Sequence, residues 1–299
     1  MLLHHDLRSL FLNDKYADLT VTCKGREVKV HRAVVCSQSS FFDKACTSGF
    51  KESYTGVIDL PEDYPDIFEK FLAFLYTGNY DDGAQALSSG ASRAATISHE
   101  DVTMELFRLD STVRDQAVLG YMEENHKELK SGQAVLGEDD SDESEPDSPS
   151  ESPVSMAERT FAALEVMLTS IITKIRFYTM ADKFDVNAAR LLARERLCYH
   201  TKIFLLSVPS YSNITPAAVL SLSENRSRMM YAGFSTAVDE LYGTTAPYDV
   251  IIQKLLCPWI GTAFEKEPWF RKPLIPVMRK HADLALAMIL WIVEDEPAW

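Results

Sequence analysis

Residues 138–151 set the first limit on what this chain can fold into. Glu138, Asp139, Asp140, Asp142, Glu143, Glu145, Asp147 and Glu151 are eight carboxylates with no Lys or Arg among them. They carry more than half of the net charge of -14. With Pro146, Pro149 and Pro153 and the interspersed serines, such a run has too little apolar surface to offset its ordering entropy. It predicts a disordered insertion, residues 138–153, that is dispensable for folding. Any core must therefore be assembled from sequence on either side of it. Hydrophobic residues make up 46% of the chain, enough for that purpose.

The first 80 residues carry dense and varied apolar patterns. Leu3, Leu7, Leu10 and Phe11 fall on one face of a short helix. Leu19, Val21 and Cys23 alternate with threonines, which predicts a half-buried strand. Lys24-Gly25-Arg26 gives a turn, and Val28 and Val30 mark the returning antiparallel strand. His31 to Cys36 reads as a short buried helix, and Ser39 and Ser40 can cap a second one. Val57–Leu60 is a third strand. Pro65 fits a first helical turn. Ile67, Phe68, Phe71, Leu72, Phe74 and Leu75 then follow at helical spacing until Thr77-Gly78-Asn79.

That order resembles the BTB/POZ domain. The matching words are Tyr16-Ala17-Asp18-Leu19-Thr20-Val21, Val30-His31-Arg32-Ala33-Val34-Val35 and Ser37-Gln38-Ser39-Ser40-Phe41-Phe42. Phe50-Lys51-Glu52-Ser53, Val57-Ile58-Asp59-Leu60 and Phe71 through Tyr80 follow in sequence. The likeness resumes at Phe177 to Val186, which resembles the family's late helix. The version here is most similar to BTB proteins of filamentous fungi. The resemblance implies an α+β fold, a small mixed sheet with a helical cluster, interrupted by the acidic insertion and followed by an all-helical tail. The implied divisions are 1–80 for the BTB core, 81–158 for the insertion, 159–203 for the remaining BTB helices and 204–299 for the helical C-terminal region.

Beyond the insertion, Leu164, Met167, Leu168, Ile171, Ile172 and Ile175 predict one long helix towards Phe184. Asp185-Val186-Asn187 reads as a turn. Ala188, Leu191, Leu192 and Leu197 give the next helix, with Arg190, Arg194 and Arg196 expected on its exposed side. Further helices are expected at 216–222, 229–242, 249–256 and 283–293, separated by prolines. No repeat of kelch or ankyrin length is visible.

The chemistry-bearing residues point to binding. No nucleotide-binding glycine loop, nucleophile elbow or zinc-protease motif occurs, so neither an enzyme nor a cofactor is predicted. Five cysteines, none at C-x-x-C spacing, predict reduced thiols and no zinc site. His31 reads as a packed histidine at a strand-to-helix junction. The acidic balance opposes nucleic-acid binding and attraction to anionic membranes. No apolar run approaches the roughly 18–20 residues of a membrane span, and no signal peptide is visible. A cytoplasmic and/or nuclear protein is expected.

The family resemblance adds partner sites. Phe50-Lys51-Glu52 matches the hydrophobic-x-Glu element of BTB proteins that engage a cullin scaffold, which implicates Phe50 and Glu52. Two readings stay open, an exposed anchor or a Phe50 packed beneath the Val57–Leu60 strand. Asp18 and Arg32 match residues that lie together at the family's dimer interface, with a plain exposed salt bridge as the alternative. Leu3, Leu7, Leu10 and Phe11 would complete that face of a homodimer. Ser144, Ser148 and Ser152, in the acidic run, suit proline-directed or acidophilic kinases. The implied function is protein–protein interaction, by BTB-mediated self-association or partner recruitment, including service as substrate adaptor of a cullin-type ubiquitin ligase. The alternative is a transcription-associated scaffold that recruits corepressors.

Overall fold

The computed structural model describes residues 7–83, 153–207, 224–244 and 268–293, with 256–257, 260–261 and 264. Residues 84–152 of the expected insertion, with Ser144, Ser148 and Ser152, and Leu3 lie outside these residues, as do the helix expected at 216–222 and all of 249–256 except Leu256. Among the described residues there are three strands and nine helices. The chain divides into two compact units. The first includes residues 7–83 and Ser170–Leu197; the second includes residues 224–242 and 268–293.

In the first unit, strands β1 (Leu19–Cys23) and β2 (Arg26–Val30) form an antiparallel hairpin with Val21 opposite Val28. Lys24 and Gly25 both take positive φ, 46° and 81°, the left-handed pair that a two-residue hairpin turn requires. Strand β3 (Val57–Leu60) joins β1 in parallel, so the sheet order is β2-β1-β3. A parallel neighbour needs a crossover. Three short helices supply it: α1 (Arg32–Gln38), α2 (Ser40–Thr47) and α3 (Lys51–Thr55). Ser39 accepts the Phe42 amide and starts α2.

Helix α4 (Pro65–Thr77) opens on proline and closes at Gly78, whose φ of 74° suits the left-handed cap. Its Phe68, Phe71, Leu72 and Leu75 are buried, as their spacing predicts. Helix α5 (Pro153–Lys183) begins earlier than the Leu164 periodicity predicts, with Pro153 in its first turn. A turn at Phe184–Val186, with Asp185 at φ 56°, leads into α6 (Asn187–Ser207). The expectation that Arg194 and Arg196 face solvent is overturned. They are 8% and 0% exposed, because both guanidinium groups are drawn onto aromatic rings and inward acceptors.

The second unit contains α7 (Glu224–Thr244) as far as Tyr242, α8 (Pro268–Lys280) and α9 (Ala282–Val293). Helix α8 is not expected from a stretch holding Pro268, Pro273 and Pro276, since an interior proline removes an amide from the ladder. Burial of Leu274 and Val277 on one face accompanies its formation. Asp239 on α7 fastens the junction of the next two helices, accepting from Lys280 Nζ at 2.8 Å and pairing with His281 Nε2 at 2.6 Å. No helix among the described residues is long and apolar enough to cross a membrane.

The core of the first unit closes on Phe184. Its ring lies 5.0 Å from Phe41, 5.2 Å from Phe42 and 5.2 Å from Phe71, centroid to centroid. Phe184→Ala is expected to destabilise the fold by about 3–5 kcal/mol through the cavity it leaves, measured by urea denaturation.

Candidate protein-interaction face

Phe50 occupies the N-cap position of α3 and is 65% exposed. It is therefore not packed beneath β3; Ile58 and Leu60, 2% and 3% exposed, fill that place. Gly49, at φ 73°, turns the chain just before Phe50. The Phe50 carbonyl accepts the Ser53 amide at 3.0 Å and the Ser53 hydroxyl at 2.7 Å, so the turn is held by its own backbone. Glu52 is half-buried in the first turn of α3. Tyr54, one helical turn beyond Phe50, is 83% exposed, and Val57 is 40% exposed. Sequence reading misses Tyr54; its four-residue step from Phe50 is the signal that places both on one side.

Asp18 and Arg32 do meet, through the backbone. The Arg32 amide donates to Asp18 Oδ1 at 2.8 Å. Asp18 thus satisfies a donor at the start of α1, where His31 makes no side-chain cap. The Arg32 guanidinium lies instead towards Gly56, and its Nε is buried without a hydrogen-bond partner among the described residues. Gly56 has φ 65° and ends α3.

Leu7 and Arg8 are helical, as expected there, and residues 9–12 continue as turns, with three-residue bonds from Leu10 to Leu7, Phe11 to Arg8 and Asn13 to Leu10. Leu7, Leu10 and Phe11 are half-buried. Phe11 approaches Tyr76 at 5.9 Å.

His31 is enclosed, and its bonds fix its tautomer. Nε2 lies 2.7 Å from the Lys15 carbonyl, which only accepts, so Nε2 carries the proton. Nδ1 then accepts from the Tyr76 hydroxyl at 2.8 Å, and that hydroxyl accepts from the His31 amide at 2.9 Å. Burial pushes the Tyr76 phenol up. Burial likewise pushes Cys36 up to about 12, helped by its hydrogen bond with Cys46. A thiol so disposed is a poor nucleophile.

A buried polar cluster escapes sequence reading altogether. Lys174 Nζ pairs with Asp82 Oδ2 at 3.2 Å, with side chains 0% and 3% exposed. The same ammonium donates to the Ser170 hydroxyl and, at 3.3 Å, to the Ser170 carbonyl. Arg196 donates to the Tyr80 carbonyl at 2.7 Å and to Asn79 Oδ1. A serine beside a lysine resembles a nucleophile with its base. Here both are enclosed and the ammonium acts as donor to the hydroxyl, an arrangement that serves packing.

A BTB/POZ family model matches residues 7–101. The chain carries a BTB/POZ domain. Kelch repeat and BTB domain-containing protein 4 of Homo sapiens is 36% identical to the chain over 63 residues, 21% of this chain and 12% of that protein. The Mus musculus protein of the same name matches to the same extent. Kelch repeat protein M-T8 of Myxoma virus (strain Lausanne) is 30% identical over 76 residues, 25% of this chain and 15% of that protein. The match to these relatives thus spans a small fraction of their length. BTB/POZ domains act in protein–protein association, which is the function class this chain shares with them.

The buried lysine gives a pH signature. Burial lowers the Lys174 ammonium to about 8, against the opposing pull of Asp82. The folded pKa lies below that of the unfolded chain, so below pH 8 both states hold the proton and the full cost of burying the charge is present. As pH rises from about 8 to 10.5 the unfolded state binds more protons, and stability increases, by about 3 kcal/mol over the window for this one group. Lys174→Met is expected to remove that contribution, seen as a flatter dependence of urea midpoint on pH than in the unaltered chain.

Proposed function

We propose that the chain recruits a protein partner through the face bearing Phe50 and Glu52, and that the partner is the scaffold of a cullin-type ubiquitin ligase, with the chain as its substrate adaptor. The observation that carries this reading is the exposure of Phe50. A large apolar ring at 65% exposure, set at a helix start with a carboxylate two residues on, is the form of a docking anchor with a register-fixing charge. The whole-chain role is binding rather than catalysis, in the cytosol or nucleus. The proposed divisions are the BTB core at 1–80 and 159–203, the acidic insertion at 81–158, and a helical C-terminal region at 204–299. In the insertion, Ser144, Ser148 and Ser152 are proposed phosphorylation sites.

Self-association is the second part of the proposal. Arg32 Nε, which has no acceptor among the described residues, supports it, because a buried donor without an acceptor is costly and a carboxylate or carbonyl of a second copy would relieve it. Leu7, Leu10 and Phe11 would supply apolar contact. Sedimentation at tens of micromolar, an order chosen from ordinary interface affinities, is expected to show a dimer; a monomer alone would reject it.

For the recruiting face, Phe50→Ala is expected to weaken cullin binding about thirtyfold, the loss of about 2 kcal/mol usual for a central anchor. Its melting temperature should stay close to that of the unaltered chain, since an exposed ring leaves no cavity. Cullin absent from pull-downs of the unaltered chain, with chromatin factors in its place, would favour a corepressor scaffold.

A further inference from the structure

The first unit includes residues 7–83 and Ser170–Leu197, stretches far apart in sequence. At the point where the chain leaves the domain, Lys70 holds the Asp81 carbonyl from α4 at 2.6 Å, and Tyr80 and Asp82 meet the stretch to which the chain returns. Asp82 pairs with Lys174 at 3.2 Å. The Tyr80 ring lies between Phe177, 3.7 Å away and stacked at 10°, and the Arg196 guanidinium at 4.4 Å. Ser39 donates to the Phe184 carbonyl and Ser40 to Asp185, both at 2.6 Å. Lys183 closes the rim on Asp63 at 2.6 Å. These contacts join an apolar nest to matched polar groups, and none of them passes through residues 84–152.

We infer that residues 39–82 form a docking surface whose partner is this chain's own Ser170–Leu197 segment, and that recognition between them persists when the connection through residues 84–152 is cut. The peptide connection supplies proximity. Recognition comes from the buried contacts. A protease acting on residues 84–152 would then divide the chain while leaving the BTB/POZ domain assembled.

The inference separates two energetic roles. In the intact chain, proximity masks the loss of a single contact. In the cut chain the same loss appears directly as dissociation. Asp82→Asn leaves Lys174 and Arg196 enclosed without their shared carboxylate, and removal of one partner from a buried charge pair weakens association by about a hundredfold or more.

The test uses the full-length chain with a site-specific protease sequence inserted between Ser111 and Thr112, folded first and cut afterwards, so that the N-terminal fragment carries only residues of the first unit. At micromolar concentration (the order of ordinary binding assays) the two fragments of the otherwise unaltered chain are expected to co-elute from a sizing column with their helical circular dichroism intact. Separation of the fragments, or loss of the helical signal on cutting, would overturn the inference. The Asp82→Asn chain is expected to stay folded uncut and to come apart when cut. If it fails to fold uncut, Arg196→Lys takes its place; that variant keeps the charge and loses the two-pronged grip on Tyr80 and Asn79. Cut variants that hold together as tightly as the unaltered chain would show that the buried polar cluster does not govern the association.

Discussion

Phe184 is the contact on which the first unit depends. Its ring meets Phe41, Phe42, Phe68 and Phe71, all contributed by sequence more than a hundred residues earlier. Aromatic burial is non-directional in its driving force but specific in its edge and face geometry. The carbonyl of Phe184 also accepts from Ser39, the residue that caps α2. One position therefore sets both the apolar closure and the start of the helix that leads towards Phe50. The later stretch is placed against the earlier one by this nest.

The buried polar cluster acts beside it as a register device. Lys174, Asp82 and Arg196 are expensive to enclose, and their mutual attraction offsets that expense only in one arrangement. An apolar interface alone would tolerate a helix rotated or slid by a residue. With Arg196 bonded to the Tyr80 carbonyl and stacked on the Tyr80 ring, such a slip would strand a buried charge. The sheet and α4 are thereby held against α5 and α6 in a single alignment.

The candidate docking face is the complement of this closure. Ile58 and Leu60 face inward from β3, so Phe50, Tyr54 and Val57 are left outside. Their exposure follows from the crossover. Helix α3 is only five residues long and contributes no buried residue. It spans the distance between α2 and β3, and its side chains are available for a partner.

Much of the fold was legible in the sequence because it rests on local periodicity. Alternation in Leu19–Cys23, the Lys24-Gly25 turn, the proline-to-glycine limits of α4 and the Phe177–Val186 words each constrain their own neighbourhood. The alternatives left open for Phe50 and for Asp18 with Arg32 were not resolvable there. A three-residue motif does not say which side of a turn faces water, and a carboxylate near an arginine in sequence does not say whether it meets the guanidinium or the amide. The structure chose exposure for the first and the amide for the second. Arg196 shows the same limit more sharply. A charged residue on a helix is read as solvated, since local sequence carries no record of a carboxylate 114 positions away at 4.0 Å. By itself the sequence determined which segments became strands and helices, because backbone propensity and apolar spacing act within a few residues. Only the tertiary structure decided which polar groups were enclosed and which aromatics were left out, because burial is settled by contacts between distant parts of the chain.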